Sequence, residues 1–214
     1  MRSDVPGSRR LSVEDRRAQL VNCALTLADR GGMSAVTVRG VAEEAKVSLG
    51  VVHYCFDDKE QLVAAMIEKV IAEQLEALLA SVPTENLGTG RDALRISIQE
   101  AVTAVWARAA EFPNRWLLMI ESMLFSLRQP TESASAGQAL LQHTIAEKYG
   151  HTYLSEIGDR CGMRWQVSER ELVRSALQML FGTVQWWLVD RDDAAARRSL
   201  ALLAGWMADC AEPR

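Results

Sequence analysis

The chain has 214 residues, 49% of them hydrophobic, and 24 Lys and Arg against 28 Asp and Glu, for a formal net charge of −4. That length supports one large or two small domains with a sizeable core. The acidic balance excludes a general polyanion binder, which needs a basic excess to displace counterions from nucleic acid. The charge is uneven, however: residues 1–60 hold nine basic and nine acidic side chains, so any DNA contact belongs there. With 5 Pro and 13 Gly against abundant Ala and Leu, the composition predicts an all-α fold. Cys23, Cys55, Cys161 and Cys210 are far apart and form no CxxC pair, which argues against a zinc site or a disulfide framework. No apolar run reaches the roughly 18 residues of a membrane span, and the N-terminus lacks a signal-peptide core, so a cytoplasmic protein is expected.

In chain order, residues 1–11 read as a flexible basic arm. Ser12 caps a first helix, with Glu14 and Asp15 in its first turn, an apolar face of Leu20, Ala24, Leu27 and Ala28, and a stop at Gly31-Gly32. Thr37 caps a second helix with Val38, Val41, Ala42 and Ala45 inward; Ser48 caps a third, very short one that Val52 and Phe56 lock in place. Asp57 with Glu60 has capping-box spacing and opens a long fourth helix to about Ala80, ended by Pro83 and TENLGTG. Further helices run from Arg91 to about Glu111, from the Phe112-Pro113 break to about Leu127, and, after RQPTESAS, to about Cys161. The sixth is so apolar that it should be almost surrounded by protein. A connector with Trp165 leads to two last helices, about Glu169–Val189 and Asp192–Ala211.

Thr37 to Leu62 has the layout of a helix-turn-helix, in which a short second helix enters the major groove while the first braces it. The series Thr37, Arg39, Val41-Ala42, Ala45, Val47-Ser48, Gly50, Val52, Tyr54, Phe56, Lys59 and Leu62, inside an all-helical chain, resembles the TetR family of transcriptional regulators. The resemblance implies nine helices, with a DNA-binding domain at 12–60 and an effector-binding and dimerisation domain at 61–214. It also implies that Thr37 and Lys59 contact phosphates and that Ser48 to Tyr54, with Leu49, Gly50, Val51 and His53, lies in the major groove. Three positions depart from the family pattern. Lys46 replaces the turn glycine, His53 a frequent Tyr, and Cys55 a frequent His or Tyr. Leu49 and Val51 suit thymine methyls, so specificity is expected to rest on Arg39, Lys46 and DNA shape. Arg9, Arg10, Arg16 and Arg17 are either further backbone contacts or a solvated tail and helix face.

All six tryptophans lie beyond this head. Trp106, Trp116, Met119, Met123, Phe181 and Trp186, with Glu121 as a polar anchor, are candidates for an effector cavity, the alternative being plain core packing. Helix eight carries Leu172, Ala176, Met179, Thr183 and Trp186 on one stripe, and helix nine Leu200, Leu203, Ala204 and Met207. Apolar width of that kind predicts burial on two sides, one against the subunit's own body and one against something else; a two-fold mate would make a four-helix interface, the alternative being a monomer with a thick core. His143, Glu147 and His151 span about 12 Å of helix at 1.5 Å per residue and cannot reach one ion, so they read as a solvated stripe. Neither a metal nor a cofactor is expected, and no nucleophile and base pair suggests an enzyme. The sequence therefore points to a homodimeric regulator that binds double-stranded DNA at a palindromic operator and a small apolar or amphipathic effector. The alternative is a helical small-molecule-binding or scaffold protein that does not bind DNA.

Overall fold

A computed structural model describes residues 11–80, 88–129 and 137–214, and it is helical nearly throughout. The expected basic arm, the Pro83 stop and most of the RQPTESAS loop lie outside the described residues. The chain divides into two compact units, with the boundary between Met66 and Ile67.

The first unit contains α1 (Val13–Gly31), a single 3-10 turn, α2 (Val38–Glu44), α3 (Leu49–Cys55) and the start of α4 (Lys59–Ala80). Ser12 caps α1 by accepting from the Asp15 amide, and Gly32, at φ +68°, ends it in a backbone conformation that suits glycine. Leu20, Ala24 and Ala28 are buried as expected, joined by Val21 and Leu25; Leu27 and Val38 are only half-buried. The apolar face of α1 is thus wider than a single three-four stripe. Ser48 precedes α3 but makes no side-chain cap bond. The α4 cap falls one residue later than Asp57: the Asp58 carboxylate accepts from the Gln61 amide at 2.7 Å, while the Gln61 side chain accepts from the Asp57 amide at 3.1 Å.

The second unit continues α4 and adds α5 (Arg91–Glu111), α6 (Pro113–Arg128), α7 (Gln138–Arg160), β1 (Met163–Trp165), α8 (Glu169–Asp190), α9 (Asp193–Asp209) and β2 (Ala211–Pro213). Nine α-helices are therefore present among the described residues. Helix α5 is the hub: it packs most extensively on α9 and also touches α6, α7 and α8. It buries Leu94, Ile98, Ala101, Val105 and Ala109, whose mixture of sizes lets several neighbours approach it. Pro113 starts α6, where its missing N–H is not needed. At the α8–α9 corner Arg191 takes a left-handed φ of 56°, and the Asp192 carboxylate caps α9 through the Ala195 amide at 2.8 Å.

Two expectations for this unit are corrected. Residues 211–213 do not extend α9. They pair antiparallel with β1, Arg164 opposite Glu212, and close a short sheet over the end of α7. Helix α6 is not surrounded within the subunit, since Leu117, Leu124, Phe125 and Leu127 are exposed and only Trp116, Leu118 and Ser126 are buried. Its composition is apolar, but one subunit covers only part of its circumference.

An ionic cluster joins α4, α5 and α6. Glu73 accepts from Arg108 at 3.1 Å and from Arg115 at 2.5 Å, and both guanidinium carbons lie 4.2 Å from the centre of the Phe112 ring. Tyr153 of α7 is tied to α5 by donating to the Ser97 carbonyl at 2.9 Å. Burial holds its phenol well above the ordinary range, with smaller contributions from Cys161, Glu100 and Glu156. Because the folded state disfavours the phenolate, this stability is complete below about pH 10 and is lost as pH rises further. Tyr153→Phe is expected to cost about 1 kcal/mol at neutral pH through the lost hydrogen bond, and to flatten the alkaline loss, as read by urea titrations between neutral and alkaline pH.

Candidate functional site

The first candidate surface is what α2 and α3 leave outside their core. Val52, Cys55 and Phe56 are buried, which turns Ser48, Leu49, Gly50, His53 and Tyr54 outward, Tyr54 at 76% exposure; Val51 is half-buried. Thr37 caps α2, its Oγ1 accepting from the Gly40 amide at 3.0 Å, and its hydroxyl hydrogen can still be donated to a phosphate. Arg39, Lys46 and Lys59 are exposed, with Arg39 held to Glu43 at 3.0 Å. A Cβ at Gly50 would meet only Ser48 Oγ, at 3.8 Å, and the position does not have a positive φ. Neither internal packing nor backbone conformation requires glycine there.

The three departures from the family pattern are absorbed locally. Lys46 takes φ +55°, and its amide donates to the Glu43 carbonyl while that of Val47 donates to Ala42, which makes the turn a Schellman closure of α2. Cys55 belongs to the core, so a phosphate contact there is excluded by burial. His53 keeps an exposed position. Sequence reasoning missed Arg17, which is neither a solvated charge nor a free backbone contact. Its guanidinium lies 4.3 Å from the Phe56 ring centre and donates to the Cys55 carbonyl, holding the end of α3 against α1.

The second candidate is a cavity of about 180 Å³ inside the second unit. Trp116, Met119, Met123 and Phe181 line it, with the Trp116 and Phe181 rings edge to face at 5.4 Å. Three other expected residues do not. Trp106 is buried against Trp187 and beneath Arg197, Glu121 is exposed, and Trp186 is 71% exposed. The polar lining comes instead from Gln74, Gln142, His143, Tyr149, Tyr153 and Gln185. His143 of the expected polar stripe is exposed, and it also lines the cavity and packs edge-on to Phe181. The signal for these residues was weak, because a Gln or His on a helix faces solvent as often as a cavity.

The stripe expected to meet a two-fold mate is turned outward only in part. Leu172, Leu200, Leu203, Ala204 and Met207 are buried in the subunit's own core, and Ala176 and Met207 line the cavity; of that set Met179 is exposed and Thr183 half-buried. The exposed apolar side chains on α8 and α9 keep Met179 and Trp186 of that stripe and add Val189, Leu202 and Trp206, with open space above Gly182 and Gly205.

In chain order a helix-turn-helix head is followed by a helical body that holds an apolar cavity. Residues 20–66, the helix-turn-helix segment, match the family described as bacterial regulatory proteins, tetR family. It is 31% identical over 121 residues to the nicotine-responsive transcriptional repressor HdnoR of Paenarthrobacter nicotinovorans, a match covering 56% of this chain and 59% of that one. It is 32% identical over 91 residues to the transcriptional regulator BetI of Burkholderia thailandensis, covering 42% and 44% of the two chains. Both matches thus span less than two thirds of the relatives' length. The fold recurs in a TetR transcription regulator from Haloarcula marismortui, with a TM-score of 0.70 at 14% identity over 93% of this chain and 100% of that one. No described helix is long and apolar enough to cross a membrane.

Lys46→Gly should relieve a left-handed penalty of about 1–2 kcal/mol at a conformational cost of about 0.5–1 kcal/mol, a small net gain. Slower amide hydrogen exchange in α2 and α3 would register it.

Proposed function

We propose that the protein is a homodimeric transcriptional repressor that grips a palindromic operator with two heads and releases it when a small apolar or amphipathic effector fills the body cavity. The observation that carries the DNA-binding part is the outward face of α3, with a glycine at position 50 that the fold itself does not need. Thr37 at the start of α2, Lys46 in the turn and Lys59 at the start of α4 supply phosphate contacts around it, while Arg39, Ser48, Leu49, Val51, His53 and Tyr54 supply the groove surface. No observation favours the non-DNA-binding alternative, since Lys46 and Cys55 are both accounted for by the fold.

The apolar stripe on α8 and α9 supports the dimer. Three of its side chains, Trp186, Val189 and Leu202, are more than 70% exposed, and large apolar side chains left uncovered on two packed helices suit a protein interface. Pairing both helices with a two-fold mate makes a four-helix seam, with Gly182 and Gly205 allowing close approach. Helix α4 supports the coupling. It is one continuous helix, about 33 Å long at 1.5 Å per residue, that starts in the head and contributes Ile71, Gln74 and Leu78 to the cavity wall. A guest that shifts those residues shifts the helix that carries the head, and a coupling of about 1–3 kcal/mol lowers operator affinity roughly 5–150-fold.

Gel-shift titrations against DNA flanking the gene, at several salt concentrations, test the central claim. Specific, salt-sensitive binding is expected, and its absence at every flanking site would overturn the proposal. Lys59→Ala should lower the salt slope by about 1, and Gly50→Ala should weaken binding about tenfold or more while the thermal melt stays put or rises slightly. Trp186→Glu combined with Leu202→Glu should give a folded monomer by light scattering, with unchanged helical circular dichroism.

A further inference from the structure

The cavity is chemically one-sided in a way that narrows what it accepts. None of its described lining residues carries Asp, Glu, Lys or Arg, so a charged guest would lose its hydration and find no opposite charge. Two of its polar groups are already committed. Tyr153 donates to the Ser97 carbonyl, and His143 Nδ1 lies 2.9 Å from the Ala139 carbonyl, which can only accept and so takes the ring proton. Two others are not. Gln74 Oε1 on α4 and Gln142 Nε2 on α7 are buried without a hydrogen-bond partner among the described residues, one an acceptor and one a donor, and the Gln142 side chain belongs to a residue 94% buried. Unpaired amide atoms in an apolar wall are costly in the empty protein, and a guest with complementary groups removes that cost.

We infer that the effector is an uncharged molecule with a largely apolar skeleton and one head that both donates and accepts, of the carboxamide or lactam type, held between Gln74 and Gln142. The inference rests on the reading of this cavity as the effector site. The head's carbonyl takes the Gln142 amide hydrogen, and its N–H goes to Gln74. Either glutamine can turn its amide over, and a head with both functions answers every pairing. The apolar skeleton lies among Trp116, Met119, Met123 and Phe181, of which the methionines adapt to its outline. Because Gln74 stands on α4, the same hydrogen bond that selects the ligand also pulls on the helix leading to the head.

The test uses four probes with one skeleton: naphthalene, 2-naphthamide, 2-naphthoate and trimethyl(2-naphthyl)ammonium, titrated into the full chain by calorimetry. The amide should bind about tenfold or more tighter than naphthalene, and both ions more weakly than naphthalene. Gln142→Leu should abolish the amide's advantage, leave naphthalene binding unchanged or tighter, and raise the melting temperature of the unliganded protein, because it removes an unpaired donor. Gln74→Leu provides the same readout independently. An ion that binds as well as the amide, or an amide preference that survives both substitutions, would overturn the inference while leaving the cavity a ligand site. Failure of all four probes to bind would remove the effector-site reading along with it.

Discussion

The body is organised around one half-buried carboxylate. Glu73 on α4 holds Arg108 of α5 and Arg115 of α6 at once, with Lys69 a turn away at 3.6 Å and the Phe112 ring beneath both guanidiniums. An anion with 18% of its side chain exposed has given up much of its hydration, and two charge-assisted hydrogen bonds offset that loss. The geometry this imposes matters more than its net energy. With Glu73 pinned, Gln74 and Leu78 of the same helix are held at the cavity wall, and the α5–α6 corner, broken by Phe112-Pro113, closes the opposite end of the cluster.

The cavity follows from how α5 is buried. Its side chains are small enough on one side for α9 to pack closely along it, while Trp116, Phe181 and the methionines of α6 stand off on the other. Trp116 and Phe181 meet edge to face there, and beside them lies an apolar void edged by amides. Its polar content is low but specific, which is the general character of a small-molecule site.

In the head the economy is different. Helix α3 has seven residues, too few to persist alone in water, and it is held by Val52, Cys55 and Phe56 inside and by Arg17 stacked on Phe56 at its end. Leu49, Gly50, His53 and Tyr54 are left facing outward. The same division explains α8 and α9, where Leu172, Leu200, Leu203 and Met207 serve the subunit and Met179, Trp186 and Leu202 are left over.

Local chemistry made the helices legible. Ser12, Thr37, Pro113 and Asp192 mark starts, Gly32 and Gly162 lie at stops, and these signals act within a turn of where they occur, so the sequence alone located the nine described helices to within about two residues. Two kinds of feature were not legible. Which of two apolar stripes on α8 and α9 turns inward depends on what α5 presents to them, and both stripes have the same period. Likewise Glu121 and Trp186 look like pocket residues by composition, whereas Gln142 and His143 look like surface residues. Only the rotation of each helix about its own axis, set by packing against α5 and α7 and by the Glu73 cluster, decided which of them meets the cavity. That rotation is a tertiary quantity, because a single helix is equally stable facing any way until its neighbours choose.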